Sequence, residues 1–179
     1  MESLQYEADV VFFGASITSD GKWHEFFKNL KICNLGKSGD KLETMLQRVP
    51  QITAVHPPKI FVAPEQNDMR HSSTYQFQKH LTELMDSIIN SNPQAEIFLV
   101  SLLPLNKSKF QDVCDNEKIM KSNQAIEEYA RKKQLEYIDL YTSYLVEGQL
   151  SEKDSYDGQH LYPEAYRKWV RLIEPYVIR

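Results

Sequence analysis

Short apolar runs alternate along this chain with stretches whose apolar residues recur every three or four positions. The first run, about residues 9–13, is rich in β-branched and aromatic side chains, the composition of a buried strand. Trp23, Phe26, Phe27 and Leu30 then recur at helical spacing and predict a short helix over 23–30. Residues 31–35 read as a weak second strand. Leu42, Met45, Leu46 and Val49 mark a helix that Pro50 closes. Residues 59–63 form the third strand, entered through Pro57 and Pro58. Leu81, Leu84, Met85, Ile88 and Ile89 give the clearest helical stripe, at i, i+3, i+4, i+7 and i+8, and Pro93 follows it. Residues 97–100 are the fourth strand, with Pro104 just beyond. A long loop through Lys107 to Asp112 leads to a helix carrying Ile119, Ile126, Tyr129 and Ala130 on one side. Residues 137–140 are the fifth strand. Tyr166, Trp169, Val170 and Ile173 lie on a last helix, begun by Pro163 at a position where proline is tolerated.

Strands that alternate with helical patterns argue for βαβ units and a parallel sheet. Crossovers of this kind are right-handed, so the expected fold class is α/β, a three-layer α/β/α sandwich. The simplest strand order is the flavodoxin-like 2-1-3-4-5, with its switch point between strands one and three. The length of 179 residues suits one domain spanning 1–179, and no repeat, linker or low-complexity tract divides it. A net charge of −4 gives no electrostatic case for nucleic acid or an anionic membrane. No apolar run approaches the ~18 residues a membrane helix needs. Residues 1–7 are acidic and polar, unlike a secretory signal, so a cytoplasmic location is expected. Cys33 and Cys114 lie far apart without metal-ligand spacing; buried reduced thiols are expected rather than a zinc site or disulfide scaffold. His24, His56, His71 and His80 show no ligand spacing with one another either, and no metal is expected.

The chemistry-bearing residues follow the strands. Ser16 comes just past the first, where Gly14 lets the chain turn. Asn34 to Asp40, with Gly36 and Gly39, follows the second. Pro64, Glu65, Gln66, Asn67 and Asp68 follow the third, and Asp157 with His160 lies beyond the fifth. All therefore fall on one edge of the sheet, where ligands collect in open α/β folds. Taken alone, the first stretch also suits a helix start, with Ser16 and Thr18 as caps. Together the residues supply what acyl transfer needs. A serine hydroxyl is a weak nucleophile that requires an adjacent base. His160 can take its proton, and Asp157 is near enough to hold the imidazole tautomer. Backbone N–H groups of Ser16 and Gly39 and the Asn67 amide could serve an oxyanion. Asp68 reads as a tie within its loop, and Phe110 in the long loop as a candidate roof for the cleft.

These blocks resemble the SGNH hydrolases, the GDSL-type esterases and lipases. The family pattern is a Gly-Asp-Ser block near the N-terminus, a glycine block, Gly-x-Asn-Asp, and a late Asp-x-x-His. Here the matching stretches are Phe13-Gly14-Ala15-Ser16-Ile17-Thr18, Asn34-Leu35-Gly36-Lys37-Ser38-Gly39-Asp40, Gln66-Asn67-Asp68 and Asp157-Gly158-Gln159-His160. The resemblance implies Ser16 as nucleophile, Asp157 and His160 as the rest of a triad, and Ser16, Gly39 and Asn67 as the oxyanion hole. It implies a serine ester hydrolase needing no cofactor, in a family that acts on acetylated sugars, short-chain esters, lysophospholipids and thioesters; with neither a signal nor a lipid-facing patch in the sequence, a small or short-chain acyl ester such as an O-acetylated carbohydrate is expected. Two positions depart from the pattern. Ala15 replaces the aspartate beside the nucleophile, so support for the nucleophile turn is expected to differ. Glu65 stands where the family has glycine; its carboxylate either lines the substrate cleft or points to solvent and bonds the backbone. These departures motivate a second reading, a glycan-binding module without turnover. A third, an FMN carrier, takes Ser16, Thr18, Ser19 and Gly21 as a phosphate loop but leaves Asn67, Asp157 and His160 without a role.

Overall fold

The computed structural model describes residues 7–70, 72–111 and 114–179. Most of the segment 1–7, together with His71 and Asp112, lies outside the described residues. Five parallel strands form the main sheet: β1 (Val10–Gly14), β2 (Ile32–Gly36), β3 (Lys59–Ala63), β4 (Glu96–Val100) and β5 (Glu136–Ile138). Their order is β2-β1-β3-β4-β5, as the alternation of elements predicts. The helices are α1 (Ser16–Asp20), α2 (Trp23–Phe26), α3 (Leu42–Gln47), α4 (Val49–Thr53), α5 (Thr74–Ser91), α6 (Asn116–Lys133), α7 (Leu140–Tyr144) and α8 (Tyr166–Val177). A small antiparallel ribbon pairs β6 (Leu145–Val146) with β7 (Gln149–Leu150).

Strand alternation sorts the core into two layers. Val11, Phe13, Ile60, Val62 and Leu99 face α3 to α6, packing on Leu42, Met45, Leu81, Leu84 and Ile126. Val10, Phe12, Phe61, Phe98 and Val100 face the other way, towards Ile17, Trp23, Tyr144, Trp169 and Ile173. In that second layer the register sets Phe12 beside Phe61 and Phe61 beside Phe98. With Trp23 they form a continuous aromatic stack, with centroids 4.2, 5.2 and 4.4 Å apart. Such pairs add about 0.5–1.5 kcal/mol each beyond their buried area.

Several expectations shift at their ends. The helix expected over 23–30 stops at Phe26. Pro50 does not close the third helix; it sits in the first turn of α4, where its missing N–H has no helical partner to lose. The fifth strand ends at Ile138, because the Asp139 carboxylate accepts the Thr142 N–H and caps α7. Neither cysteine forms a disulfide; Cys114 is buried and Cys33 only partly so. Among the described residues no helix is long and apolar enough to cross a membrane.

Candidate active site

Gly14 ends β1 against its neighbours so closely that a Cβ would lie 2.1 Å from Thr18 Oγ1 and 2.8 Å from the Ala63 carbonyl oxygen. Only glycine lets the chain turn there directly into α1. Ser16 is the first residue of α1, and Ala15 precedes it as a cap without a side-chain bond. Ser16 Oγ therefore does not cap its own helix. It lies 3.0 Å from His160 Nε2. His160 Nδ1 lies 2.6 Å from Asp157 Oδ2. With Nδ1–H facing that carboxylate, Nε2 is left as the acceptor for the serine hydroxyl. The serine is almost fully buried, while the His160 side chain keeps a quarter of its surface exposed.

The Asp157–His160 loop is locked from within. Asp157 Oδ1 accepts the N–H groups of Gln159, at 2.9 Å, and His160, at 2.7 Å. Ser155 Oγ accepts the Gly158 N–H. Gly158 has φ +89°, and a Cβ there would meet the Asn106 carbonyl oxygen at 2.7 Å and Phe110 at 2.9 Å. The long loop thus braces the triad loop through Phe110, which packs beneath Gly158, and Arg70 stacks on the Phe110 ring at 5.6 Å. Burial raises the Asp157 carboxyl pKa. The His160 bond, the two backbone N–H groups and the imidazole charge outweigh it and leave the net value lowered. Asp157 is therefore held as the anion that can stabilise a charged His160.

Glu65 bonds the backbone, as one of the two sequence expectations has it, but from a buried position rather than from solvent. It is 5% exposed, so it neither lines an open cleft nor reaches solvent. Its carboxylate sits under the nucleophile turn. Oε1 accepts from Ala15 N at 2.8 Å, and from Thr18 N and Thr18 Oγ1 at 3.0 Å. Oε2 accepts from Ile17 N at 2.9 Å and stands 3.4 Å from Ser16 Oγ. The N–H groups of Ala15, Ile17 and Thr18 at the start of α1 are satisfied from below, by the Glu65 carboxyl group. Burial raises the Glu65 pKa, and those four hydrogen bonds oppose the rise. Ala15, where the family pattern has an aspartate, offers the turn no side-chain bond, and the Glu65 carboxyl group bonds that turn. A sequence signal existed, one carboxylate absent and one gained on the same sheet edge.

The expected oxyanion donors lie on neighbouring loops. Asn67 Nδ2 donates to the Asp40 carbonyl at 2.9 Å, which holds its amide against the Gly39–Asp40 turn and leaves its second N–H for another acceptor. Gly39, at φ +82°, is exposed with open space around it. Asp68 is 3% exposed and accepts the Leu42 N–H at 3.0 Å, tying the loop after β3 to the start of α3. Burial is the main cause that pushes its pKa up to about 6. Two further side chains support the turn, Arg48 from outside the sequence blocks and Asn34 from the start of the second. Arg48 pairs with Asp40 at 2.5 Å and donates to the carbonyls of Leu35 and Gly14, stapling the ends of β1 and β2 to the turn. Asn34 Nδ2 lies within 3.2 Å of the carbonyls of Thr18, Ser19 and Gly21 and holds the far end of α1. Among the described residues no group of His, Cys, Asp and Glu side chains is disposed to hold a metal ion.

A family model described as the GDSL-like lipase/acylhydrolase family matches residues 12–168. The chain belongs to that family. Membership implies hydrolase activity on esters. Among solved structures, a Streptococcus pneumoniae protein provisionally described as a platelet activating factor is 26% identical. It superposes with a TM-score of 0.86, over 98% of this chain and 86% of its own. A GDSL-like lipase from Bacteroides thetaiotaomicron is 22% identical, with a TM-score of 0.83 over 99% of this chain and 91% of its own. An acetyl xylan esterase, AlAXEase, is 18% identical, with a TM-score of 0.80 over 94% and 99%. The latter two carry the fold alone. No curated protein matches the chain. Within this GDSL-like chain, Ala15 and Glu65 are the two positions that depart from the family pattern around the nucleophile turn.

Proposed function

We propose that the protein is a serine ester hydrolase for small or short-chain acyl esters, with O-acetylated carbohydrates as the substrate class, working through an acyl-Ser16 intermediate. The observation that carries this reading is the unbroken chain from Asp157 Oδ2 through His160 to Ser16 Oγ, at 2.6 and 3.0 Å. Ser16 Oγ attacks the ester carbonyl while its proton passes to His160 Nε2, and Asp157 balances the imidazolium. The N–H groups of Ser16 and Gly39 and the free N–H of Asn67 Nδ2 receive the oxyanion. As the tetrahedral intermediate collapses, the bond from carbon to the alcohol oxygen breaks and His160 returns its proton to that oxygen. Water, deprotonated by His160, then attacks the acyl-serine and releases the acid, restoring the hydroxyl. The shared fold of an acetyl xylan esterase is consistent with an acetyl substrate.

The test uses p-nitrophenyl acetate and a fluorophosphonate probe on wild type and Ser16→Ala. The wild type should turn over and become labelled at Ser16. The variant should lose label and at least ~10³-fold in kcat. Equal turnover by both proteins would end the nucleophile assignment. Glycan binding with neither turnover nor label would support the non-catalytic module instead.

A further inference from the structure

A buried acceptor and a buried donor share one small cavity beside the nucleophile turn. Gln66 is 3% exposed, and its Nε2 donates to the Leu103 carbonyl at 2.8 Å. That bond fixes the amide, because the flipped side chain would set oxygen against oxygen. Gln66 Oε1 then meets no hydrogen-bond partner among the described residues. Trp169, on α8 and 2% exposed, is in the same condition: its Nε1–H donates to nothing among the described residues. Both residues line a cavity of about 10 Å³, and Ile17 and Glu65 wall it from the side of the turn. We propose that this cavity is a binding site for one water molecule, which accepts from Trp169 Nε1 and donates to Gln66 Oε1, and that this bridge positions the loop 65–67.

The walls select water. Burial takes solvent away from both atoms, and leaving a buried donor and a buried acceptor unpaired is costly. One water serves both at once, since its oxygen accepts and its hydrogens donate. The volume is that of a single water and admits nothing larger. A wholly apolar cavity of this kind would stay dry, but Glu65 and Ser101 add polar groups to the lining, which brings the ~3 bonds usual for a buried water within reach. The consequence follows from where Gln66 stands in the chain. On one side of it Glu65 accepts four hydrogen bonds from the nucleophile turn, and on the other Asn67 donates to the Asp40 carbonyl. The side chain between them is tied to the exit of β4 through Leu103 and, through the water, to α8. α8 then braces the turn twice, because Tyr166 Oη also donates to the Ile17 carbonyl at 2.6 Å.

A crystal structure of the wild type at a resolution that shows ordered solvent tests the site directly. A water should lie within ~2.7–3.2 Å of both Trp169 Nε1 and Gln66 Oε1. Gln66→Met, apolar and close in volume, should lose it. A dry cavity, a direct bond from Trp169 Nε1 to Gln66 Oε1, or a water that stays unshifted in Gln66→Met would overturn the site. The positioning role rests on the esterase reading and is measured with p-nitrophenyl acetate on Gln66→Met, Trp169→Phe and the double variant. A shift well under ~1 Å should lower kcat about three- to tenfold in each single variant, with KM little changed. The double variant should fall no further than the worse single one, because either substitution breaks the same bridge. Losses that multiply, or lowered stability with kcat unmoved, would overturn the positioning while leaving the esterase intact. A wild type without turnover would sink the esterase reading, and the water would still stand or fall by the crystal structure.

Discussion

Replacing Glu65 by glutamine tests how the nucleophile is held. The carboxylate accepts four hydrogen bonds from Ala15, Ile17 and Thr18, and its second oxygen stands 3.4 Å from Ser16 Oγ. A glutamine can present one oxygen only. If that oxygen keeps the three donors at Ala15 and Thr18, the amide nitrogen faces the Ile17 N–H, donor against donor. One buried N–H is then unpaired, at a cost of about 1–3 kcal/mol. Part of this is offset, because the neutral side chain no longer bears the burial penalty that raises the Glu65 pKa. Net destabilisation should stay near ~1–2 kcal/mol, and the variant should fold. Alanine would strand all four donors, at roughly 4–12 kcal/mol, comparable with the whole stability of a domain. Turnover should suffer more than folding, since the unpaired donor lies next to Ser16. A displacement of ~1 Å at a reacting atom can cost about 10²-fold, so kcat should fall about 10- to 100-fold with KM little changed. Steady-state hydrolysis of p-nitrophenyl acetate, alongside thermal unfolding, measures both. If Glu65→Gln keeps kcat within twofold of wild type, the carboxylate does not position the nucleophile and the argument is refuted.

Asn67→Ala should raise the barrier by about 2.7–4 kcal/mol, a 10²–10³-fold loss in kcat, if its free N–H serves the oxyanion. The same kinetics check it, and a loss confined to KM would remove Asn67 from the hole. Asp68 has its pKa raised from 3.8 to about 6, so the folded state holds the proton longer than the unfolded one. Its stabilising effect is complete below pH 3.8 and is lost as pH rises through about 6, a change of roughly 3 kcal/mol by linkage. Asp68→Asn should therefore gain on wild type between pH 4 and pH 7 in urea unfolding; a pH-independent difference would contradict the burial argument.

Much of this was legible because the informative residues obey short-range rules. Ser16 follows an apolar run, Gly39 and Asn67 follow the next two exits, and Asp157 and His160 share one loop, so their order along the chain carries their placement on one edge. The stripe on α5 was plain because the helix is 18 residues long and amphipathic. What escaped were features set by tertiary contact. Pro50 can close one helix or open another, and only the packing of Val49 and Ile52 against the core makes it the start of α4. Arg48 sits in an ordinary polar context, and nothing local says that its guanidinium will reach Asp40, Leu35 and Gly14 at once.

Glu65 is the most instructive of these. Read beside its own neighbours it is one surface carboxylate after a strand, since an isolated buried anion without a cationic partner is costly. Fifty residues earlier, Ala15 leaves a helix start with unsatisfied N–H groups and no side chain to meet them. Each position alone weakens the case for a working nucleophile turn. Together they satisfy one another, because the burial that penalises the anion also removes water from donors that need an acceptor. A departure from a family motif is therefore weak evidence against function until the groups that bond the turn have been sought across the sheet edge.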